Sequence, residues 1–410
     1  MQIQPILAAL KRHKAGTFLI ALQIALTLAI VCNALFIIQQ RVERISRSTG
    51  MIETDLMAIQ NMWVGLSDEN ASEPLIKADL QVLRQLPGVQ DALATNSYPL
   101  RGGGWSTGVR LNPEMKKPAA QTTQYFVDDH ALATMGAKLI AGRNFRPDEV
   151  VAIDPKKFQF SPTVMVTKAL SDKLFPGSSA LGKQIYLSDG TPPSTVVGIV
   201  ERLQVPWKGG FADNFEANST LLPVQLTGNF TTYLIRSKPG QLASVLKAAP
   251  EALFKANRMR VLPSERGVRS FAMVRQDAYK SDRGMAILMG IICVVLLGIT
   301  AAGIVGLTSF WVGQRRKQIG VRRALGATKN DILTYFLTEN LLIGLGGVLV
   351  GALLAMGMNL WLMKQFEMAR LSPLYVITGV IVLLLLGQGS VLAPAMRAAR
   401  VPPVEATRSV

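Results

Sequence analysis

The chain has 410 residues, 49% of them hydrophobic and 17% charged, with a formal net charge of +17 and a mean hydropathy of +0.28. That is too apolar for an ordinary soluble protein and too mixed for one embedded in a membrane throughout. The only histidines are His13 and His130 and the only cysteines Cys32 and Cys293; the topology predicted below separates the histidines and puts both cysteines in spans, so no His/Cys metal cluster forms and no disulfide staples the polar part.

Four stretches carry no charged residue and are long enough to cross a bilayer as helices, which takes about 20 residues. They are Ala15–Gln40, Gly284–Gln314, Asn340–Met363 and Leu371–Met396, and Cys32 and Cys293 fall inside them. A buried core helix is the alternative for each, weightiest for the first, which Gln23 and Asn33 interrupt. The first stretch is also longer than a signal-peptide core and is followed by no small-x-small cleavage site, so it reads as a retained anchor. The cations sit beside these spans: Lys11, Arg12 and Lys14 before the first; Arg315, Arg316, Lys317, Arg322, Arg323 and Lys329 between the second and third; Arg397, Arg400 and Arg408 after the fourth. Positive charge is retained on the cytoplasmic side during insertion. The placement therefore excludes nucleic acid as the partner and puts both termini in the cytoplasm, with the loop Lys364–Arg370 and everything from Arg41 to Arg283 outside. His13 and His130 then fall on opposite sides, and Asp128-Asp129-His130 reads as a solvated helix start.

Two apolar stripes flank the external segment. Val42, Ile45, Ile52, Leu56, Ile59 and Trp63 recur at helical spacing, as do Val268, Phe271, Val274 and Ala278. They predict paired helices rising as a stalk; the alternative is that each covers the domain's own core. Gly50 in the first, and Gly102, Gly103 and Gly104 in the connector Tyr98–Ser106, are the expected points of flexibility. Between the stripes, short strands and helices alternate: a helix and an edge strand over Leu75–Leu93, a helix then a strand over His130–Phe145, a strand then a helix over Pro162–Gly177, a helix over Gln241–Asn257 and a strand after it. This is an α+β pattern with β-α-β units, and nothing in it has catalytic spacing.

Phe175–Gln184, "FPGSSALGKQ", contains G-x-x-x-x-G-K, all but the last position of a phosphate-binding loop. Gln184 stands where a Ser or Thr hydroxyl would ligate Mg²⁺, and the expected strand follows the loop instead of preceding it. On the outer side there is no ATP pool, so the match carries no nucleotide site.

The most informative stretch is Gln314–Gly351, "QRRKQIGVRRALGATKNDILTYFLTENLLIGLGGVLVG". A short basic amphipathic helix stops at Gly326-Ala327-Thr328, and Thr328 or Asn330 caps the next helix. Such a helix between two spans lies at the interface. It serves as a membrane anchor or as a handle for a cytoplasmic partner.

Arg315–Thr328 resembles the coupling segment R-R-x-E-I-G-I-R-R-A-L-G-A-T of the MacB/FtsX permeases of ABC transporters, the type VII or mechanotransmission group. Pro394–Arg408, "PAMRAARVPPVEATR", is similar to the closing motif of that family. "AGRNF" (Ala141–Phe145), "LFPGSSALGKQIYL" (Leu174–Leu187) and "VVGIV" (Val196–Val200) resemble its MacB-like periplasmic core domain. One position departs: Gln318 stands where the family usually has Glu, which bears on any ionic contact there and is compatible with an asymmetric pair of permeases.

The resemblance implies an α+β membrane protein of the bacterial inner membrane: four transmembrane helices, one N-terminal and three C-terminal, with a large periplasmic α+β domain on a helical stalk. Residues 1–40 would be the cytoplasmic N-terminus and first span, 41–283 the periplasmic core domain with its stalk helices, and 284–410 the FtsX-like permease domain with a coupling helix over 314–328. Gln318, Ile319, Arg322, Arg323, Leu325, Gly326 and Thr328 would couple to the ATPase. No ATPase domain precedes the first span, so the resemblance implies a permease without its own catalytic site or cofactor. ATP and Mg²⁺ would be held by a separate dimer of ATPase subunits. A second permease, identical or a sister chain, would complete the complex, with a periplasmic adaptor and outer-membrane channel as further partners in an exporter. Three functions are carried forward: export of drugs, peptides or toxins, release of lipoproteins, and non-transporting regulation of a periplasmic hydrolase. The full-size external domain favours export.

Overall fold

A computed structural model describes residues 14–66, 71–153, 161–188, 191–366 and 370–402. Lys11, Arg12, His13 and Arg408, Asp189-Gly190, and 367–369 of the expected outer loop lie outside the described residues.

In chain order the elements are α1 (Lys14–Ser46), β1 (Leu56–Trp63), α2 (Ser72–Gln85), β2 (Val89–Thr95), β3 (Trp105–Val109), β4 (Ala120–Val127), α3 (Ala131–Met135), β5 (Leu139–Gly142), β6 (Val151–Ile153), β7 (Thr163–Thr167), α4 (Lys168–Leu174), β8 (Gln184–Ile185), β9 (Ser194–Val200), β10 (Ser219–Leu226), β11 (Phe230–Ser237), α5 (Leu242–Ala256), β12 (Arg260–Val261), β13 (Val268–Ser270), α6 (Phe271–Ala278), α7 (Lys280–Gln314), α8 (Arg316–Ala324), α9 (Lys329–Phe366) and α10 (Pro373–Ala399). They divide into two compact units, one of 1–46 with 281–410 and one of 47–280.

The first unit contains α1, α7, α9 and α10, each long and apolar enough to cross a membrane. The N-terminal helix is the most enclosed, with 61% of its apolar window buried against 17% for α7. Small residues allow this. A Cβ on Gly347 or Gly351 of α9 would lie 2.9 Å from the Ala21 carbonyl or 2.8 Å from that of Ala25, so the two helices pack backbone to backbone. The polar residues that interrupt α1 bond to neighbouring helices. Gln23 Nε2 donates to the Ile299 carbonyl at 3.0 Å, the Thr27 and Thr300 hydroxyls are 2.8 Å apart, and Asn33 Nδ2 donates to the Ala355 carbonyl at 3.2 Å. Without water, a polar group at such a depth needs a partner on protein. The apolar face of α7 that carries Ile287, Ile291 and Val294 stays exposed, as a lipid-facing surface does.

The second unit holds two sheets. The smaller is antiparallel, ordered β12-β1-β11-β2 with β13 also on β1. Helices α2 and α5 cover it through Ile76, Leu80, Leu83, Val245, Ala249 and Leu253. At its heart Arg260 makes a doubly bonded pair with Asp79, both contacts 2.8 Å, and Asp79 also accepts from the Tyr233 hydroxyl at 2.7 Å. The larger sheet runs β3-β4-β10-β7-β9-β5, with β6 on β10 and β8 on β9. Strands β7 and β9 are parallel and α4 lies between them in the chain, which makes the expected β-α-β unit. Leu170 and Leu174 of α4 pack on Val164, Val166, Val196 and Ile199.

The stripe from Val42 to Trp63 is not one helix. The helix ends at Ser46, and Leu56–Trp63 is a strand in the middle of the smaller sheet. Positive φ at Gly50 and Asp55 turns the chain between them. Leu56, Met57, Ala58 and Ile59 are all buried, so β1 is covered on both faces and lacks the alternation that marks a half-buried strand. The second stripe is divided as well. Val268–Ser270 pairs with β1, and α6 starts at Phe271, where the Ser270 hydroxyl caps it by accepting from the Met273 amide at 3.3 Å.

Candidate coupling site

The basic segment after α7 folds as α8, and both of its ends are defined by local chemistry. At the C-terminus Gly326 takes φ +97°, the Ala327 amide donates to the Arg322 carbonyl at 3.0 Å, and the Gly326 amide donates to that of Arg323 at 3.2 Å. This paired closure needs a left-handed residue, which explains the glycine. Thr328 and Asp331 then cap α9 reciprocally: the Thr328 amide and hydroxyl donate to Asp331 Oδ2 at 2.9 and 2.7 Å, and the Asp331 amide donates back to the Thr328 hydroxyl at 3.2 Å. The break is thus a rigid corner.

One side of α8 is locked to the unit. Ile319 is buried with Ile332 and Phe336. Arg323 Nη1 donates to the Ala399 carbonyl at 3.0 Å, at the C-terminal end of α10, where a cation also meets the negative end of the helix dipole. Arg322, itself exposed, reaches back over the Tyr335 ring, 4.8 Å from its centroid. Just before α8, Arg315 Nη1 donates to both Glu339 oxygens at 3.0 and 2.8 Å, and both residues are buried. The other side is open: Gln318, Val321, Arg322 and Leu325 are exposed at spacings of three, one and three, which is one face of a helix. Leu325 is 84% exposed.

Of the residues expected to couple, the geometry brings Gln318, Arg322 and Leu325 to one open face, while Ile319, Arg323, Gly326 and Thr328 hold the helix in place. Three contributors were not anticipated. Val321 completes the open face, and its helical register with Leu325 was the available signal. Glu339 immediately precedes the apolar run at Asn340, which is the one sequence signal it offers. Tyr335, which carries Arg322, had no sequence signal.

The loop that imitates a nucleotide site does other work. Lys183 Nζ donates to the Ser178 hydroxyl at 2.8 Å and sits 4.2 Å from the Phe175 ring. Helix α4 precedes the loop and β8 follows it, the reverse of a phosphate-binding loop.

The Asp128-Asp129-His130 trio does precede a helix, α3, with Asp129 and His130 partly exposed, but Asp128 is more enclosed than a solvated helix start requires. Arg84 Nη2 reaches it at 2.8 Å, and His130 Nδ1 is 2.8 Å from Asp91. Burial pushes the Asp128 carboxyl up to about 6, against the opposing pull of Arg84 and His130.

Among the glycines expected to flex, Gly50 has φ +82° and faces the Arg202 carbonyl, only 2.0 Å from where a Cβ would stand. Gly102 has φ +87° and open space around it, while Gly104 abuts Pro206.

Residues 17–258 match the MacB-like periplasmic core domain, and residues 290–403 match the FtsX-like permease C-terminal family. The chain belongs to the MacB/FtsX-like permeases. It is 28% identical to the macrolide export ATP-binding/permease protein MacB of Chromobacterium violaceum over 281 residues, which are 66% of this chain and 41% of that protein. With the MacB of a Shewanella species it shares 25% over 414 residues, covering 98% of this chain and 59% of the relative. The chain spans about half the length of the curated relatives it matches. The crystal structure of the periplasmic region of MacB from Actinobacillus actinomycetemcomitans is similar at 13% identity and a TM-score of 0.34, covering 57% of this chain and 97% of that one. The matched portion is the permease and its periplasmic core, in an α+β membrane protein with four apolar helices.

Proposed function

We propose that this permease carries ATP-driven motion from a separate cytoplasmic ATPase dimer to its periplasmic domain, and that α8 is the element the ATPase grips. The observation that carries the reading is the division of α8 into a locked side and an open side. A helix held by Ile319, Arg323 and the Arg315–Glu339 pair cannot slide independently of the spans, so a push on its open face moves α7, α9 and α10 with it. Leu325 projects with Gln318, Val321 and Arg322, a mixed polar and apolar patch that suits a groove on a protein.

On this reading both termini and α8 are cytoplasmic, the unit of 47–280 is periplasmic, and ATP and Mg²⁺ belong to the ATPase. Two permeases, identical or sister chains, stand side by side in the inner membrane. Drugs, peptides or toxins are the substrate class, passed to a periplasmic adaptor and outer-membrane channel; the relatives named for macrolide export support this choice over lipoprotein release or hydrolase regulation. Purification of the tagged permease in mild detergent, with identification of every chain that accompanies it, tests the assembly. An ATPase subunit at a ratio near one per permease is expected. A complex that contains no ATPase under conditions where the permease stays folded contradicts it.

A further inference from the structure

The unit of 47–280 contains a cleft of about 290 Å³ where the ends of β2 and β10 and the starts of β3 and β11 come together. That is near the lower bound of small-molecule sites, roughly 300 Å³. Asn96, Arg101, Trp105, Thr227, Phe230 and Thr231 line it. The cleft has the ingredients for one kind of ligand. Arg101 lies 5.1 Å from the Phe230 ring centroid, and its Nη1 donates to the Gly103 carbonyl at 3.3 Å. Those contacts fix the guanidinium, but no carboxylate meets it among the described residues, and its buried Nε has no hydrogen-bond partner. Arginine stays charged and carries five donors in a planar fork, most of which remain unused here.

Two aromatic surfaces flank the charge. Trp105 and Phe230 are each 37% exposed, and Trp105 is held edge-on against Phe126 with centroids 5.1 Å apart. The buried Thr231 hydroxyl, in a residue only 5% exposed, also has no partner. A buried polar atom without a partner costs stability unless something satisfies it. Asn96 is already used: it accepts from the Phe126 amide at 2.9 Å and donates to the Gln124 carbonyl at 3.0 Å, which joins β4 to the end of β2. The cleft therefore presents a fixed cation and two aromatic side chains, with the unpartnered Thr231 hydroxyl buried in its wall.

We infer that this cleft binds a small organic anion with a flat apolar body, its carboxylate or equivalent acid on Arg101 and its body against Trp105 and Phe230. The cation sits on the connector Tyr98–Ser106, so binding ties that connector to the starts of β3 and β11. Nothing in this inference depends on how α8 meets an ATPase.

The test uses the full chain in lipid nanodiscs, with empty nanodiscs as the blank, titrated calorimetrically with naphthalene-2-carboxylate and with the neutral naphthalene-2-carboxamide. The two probes share a body and differ in charge. The expected result is saturable binding of the carboxylate at one site, at least about tenfold tighter than the amide, as a charge-assisted contact should give. Arg101→Gln should remove that preference and Phe230→Ala should weaken both probes. Hydrogen exchange over 99–104 should slow when the carboxylate is bound. Equal affinities for the two probes on the native chain, or no saturable binding above the nanodisc blank, overturn the inference even if a variant fails to fold. So does unchanged carboxylate binding in a folded Arg101→Gln chain.

Discussion

Arg315 and Glu339 form a buried, doubly bonded ion pair that links the start of the coupling helix to the eleventh residue beyond the Thr328 cap of α9. Neither charge has water to fall back on, so each depends on the other. Removing one partner of a buried pair typically costs about 3–5 kcal/mol, because the remaining charge is stranded. Glu339→Ala is therefore expected to lower the thermal unfolding midpoint of the purified permease strongly, and Arg315→Met with Glu339→Leu to restore much of it. If the double variant is no more stable than Glu339→Ala, the pair is not the unit that matters.

The two types of glycine separate packing from flexibility. Gly50→Ala would place a Cβ 2.0 Å from the Arg202 carbonyl, at positive φ. Gly102→Ala meets nothing within 4 Å and carries only the left-handed penalty, about 1–2 kcal/mol. The first substitution is expected to disrupt folding of the chain around β1 and the second to be tolerated. Protease resistance and thermal melts of the two variants, compared at equal expression, decide it; equal behaviour would contradict the packing reading of Gly50.

Asp128 makes stability depend on pH. Its folded-state value, about 6, lies above its ordinary value of 3.8. The folded state thus holds the proton more tightly than the unfolded state between those two values. The resulting stabilisation is fully present below about 3.8 and is lost as pH rises through about 6. Asp128→Asn should flatten this slope in denaturant titrations between pH 4 and 6.5 (a window set by the two values above). A variant with the native slope would assign the dependence to another group.

Lys183 is committed to Ser178 and Phe175. Lys183→Ala is expected to leave the ATP hydrolysis rate of the assembled complex unchanged. A loss as large as that from disabling the ATPase subunit itself would put a nucleotide in the loop after all.

Much of this architecture was legible in the residues. Uncharged runs mark the four apolar helices, Gly326 and Thr328 mark the corner after α8, and "PTVMVTKALSDKLF" reads directly as β7 and α4. β1 was not legible. A strand buried on both faces shows no alternation, and its apolar residues fell by chance at helical spacing with those of α1. The Arg315–Glu339 pair and the cleft around Arg101 were hidden for another reason. Both depend on residues far apart in the chain, which only the packed helices and the paired strand ends bring together.

The most direct test of the account is the ratio of ATPase to permease recovered by pull-down at equal expression. Leu325→Asp and Val321→Asp change the open face of α8 and leave its buried contacts alone. The account predicts that Leu325→Asp abolishes ATPase recovery, that Val321→Asp reduces it severalfold, and that both permeases insert and melt as the native chain does. An unchanged ratio for Leu325→Asp would contradict docking at this face and return α8 to the role of a membrane anchor.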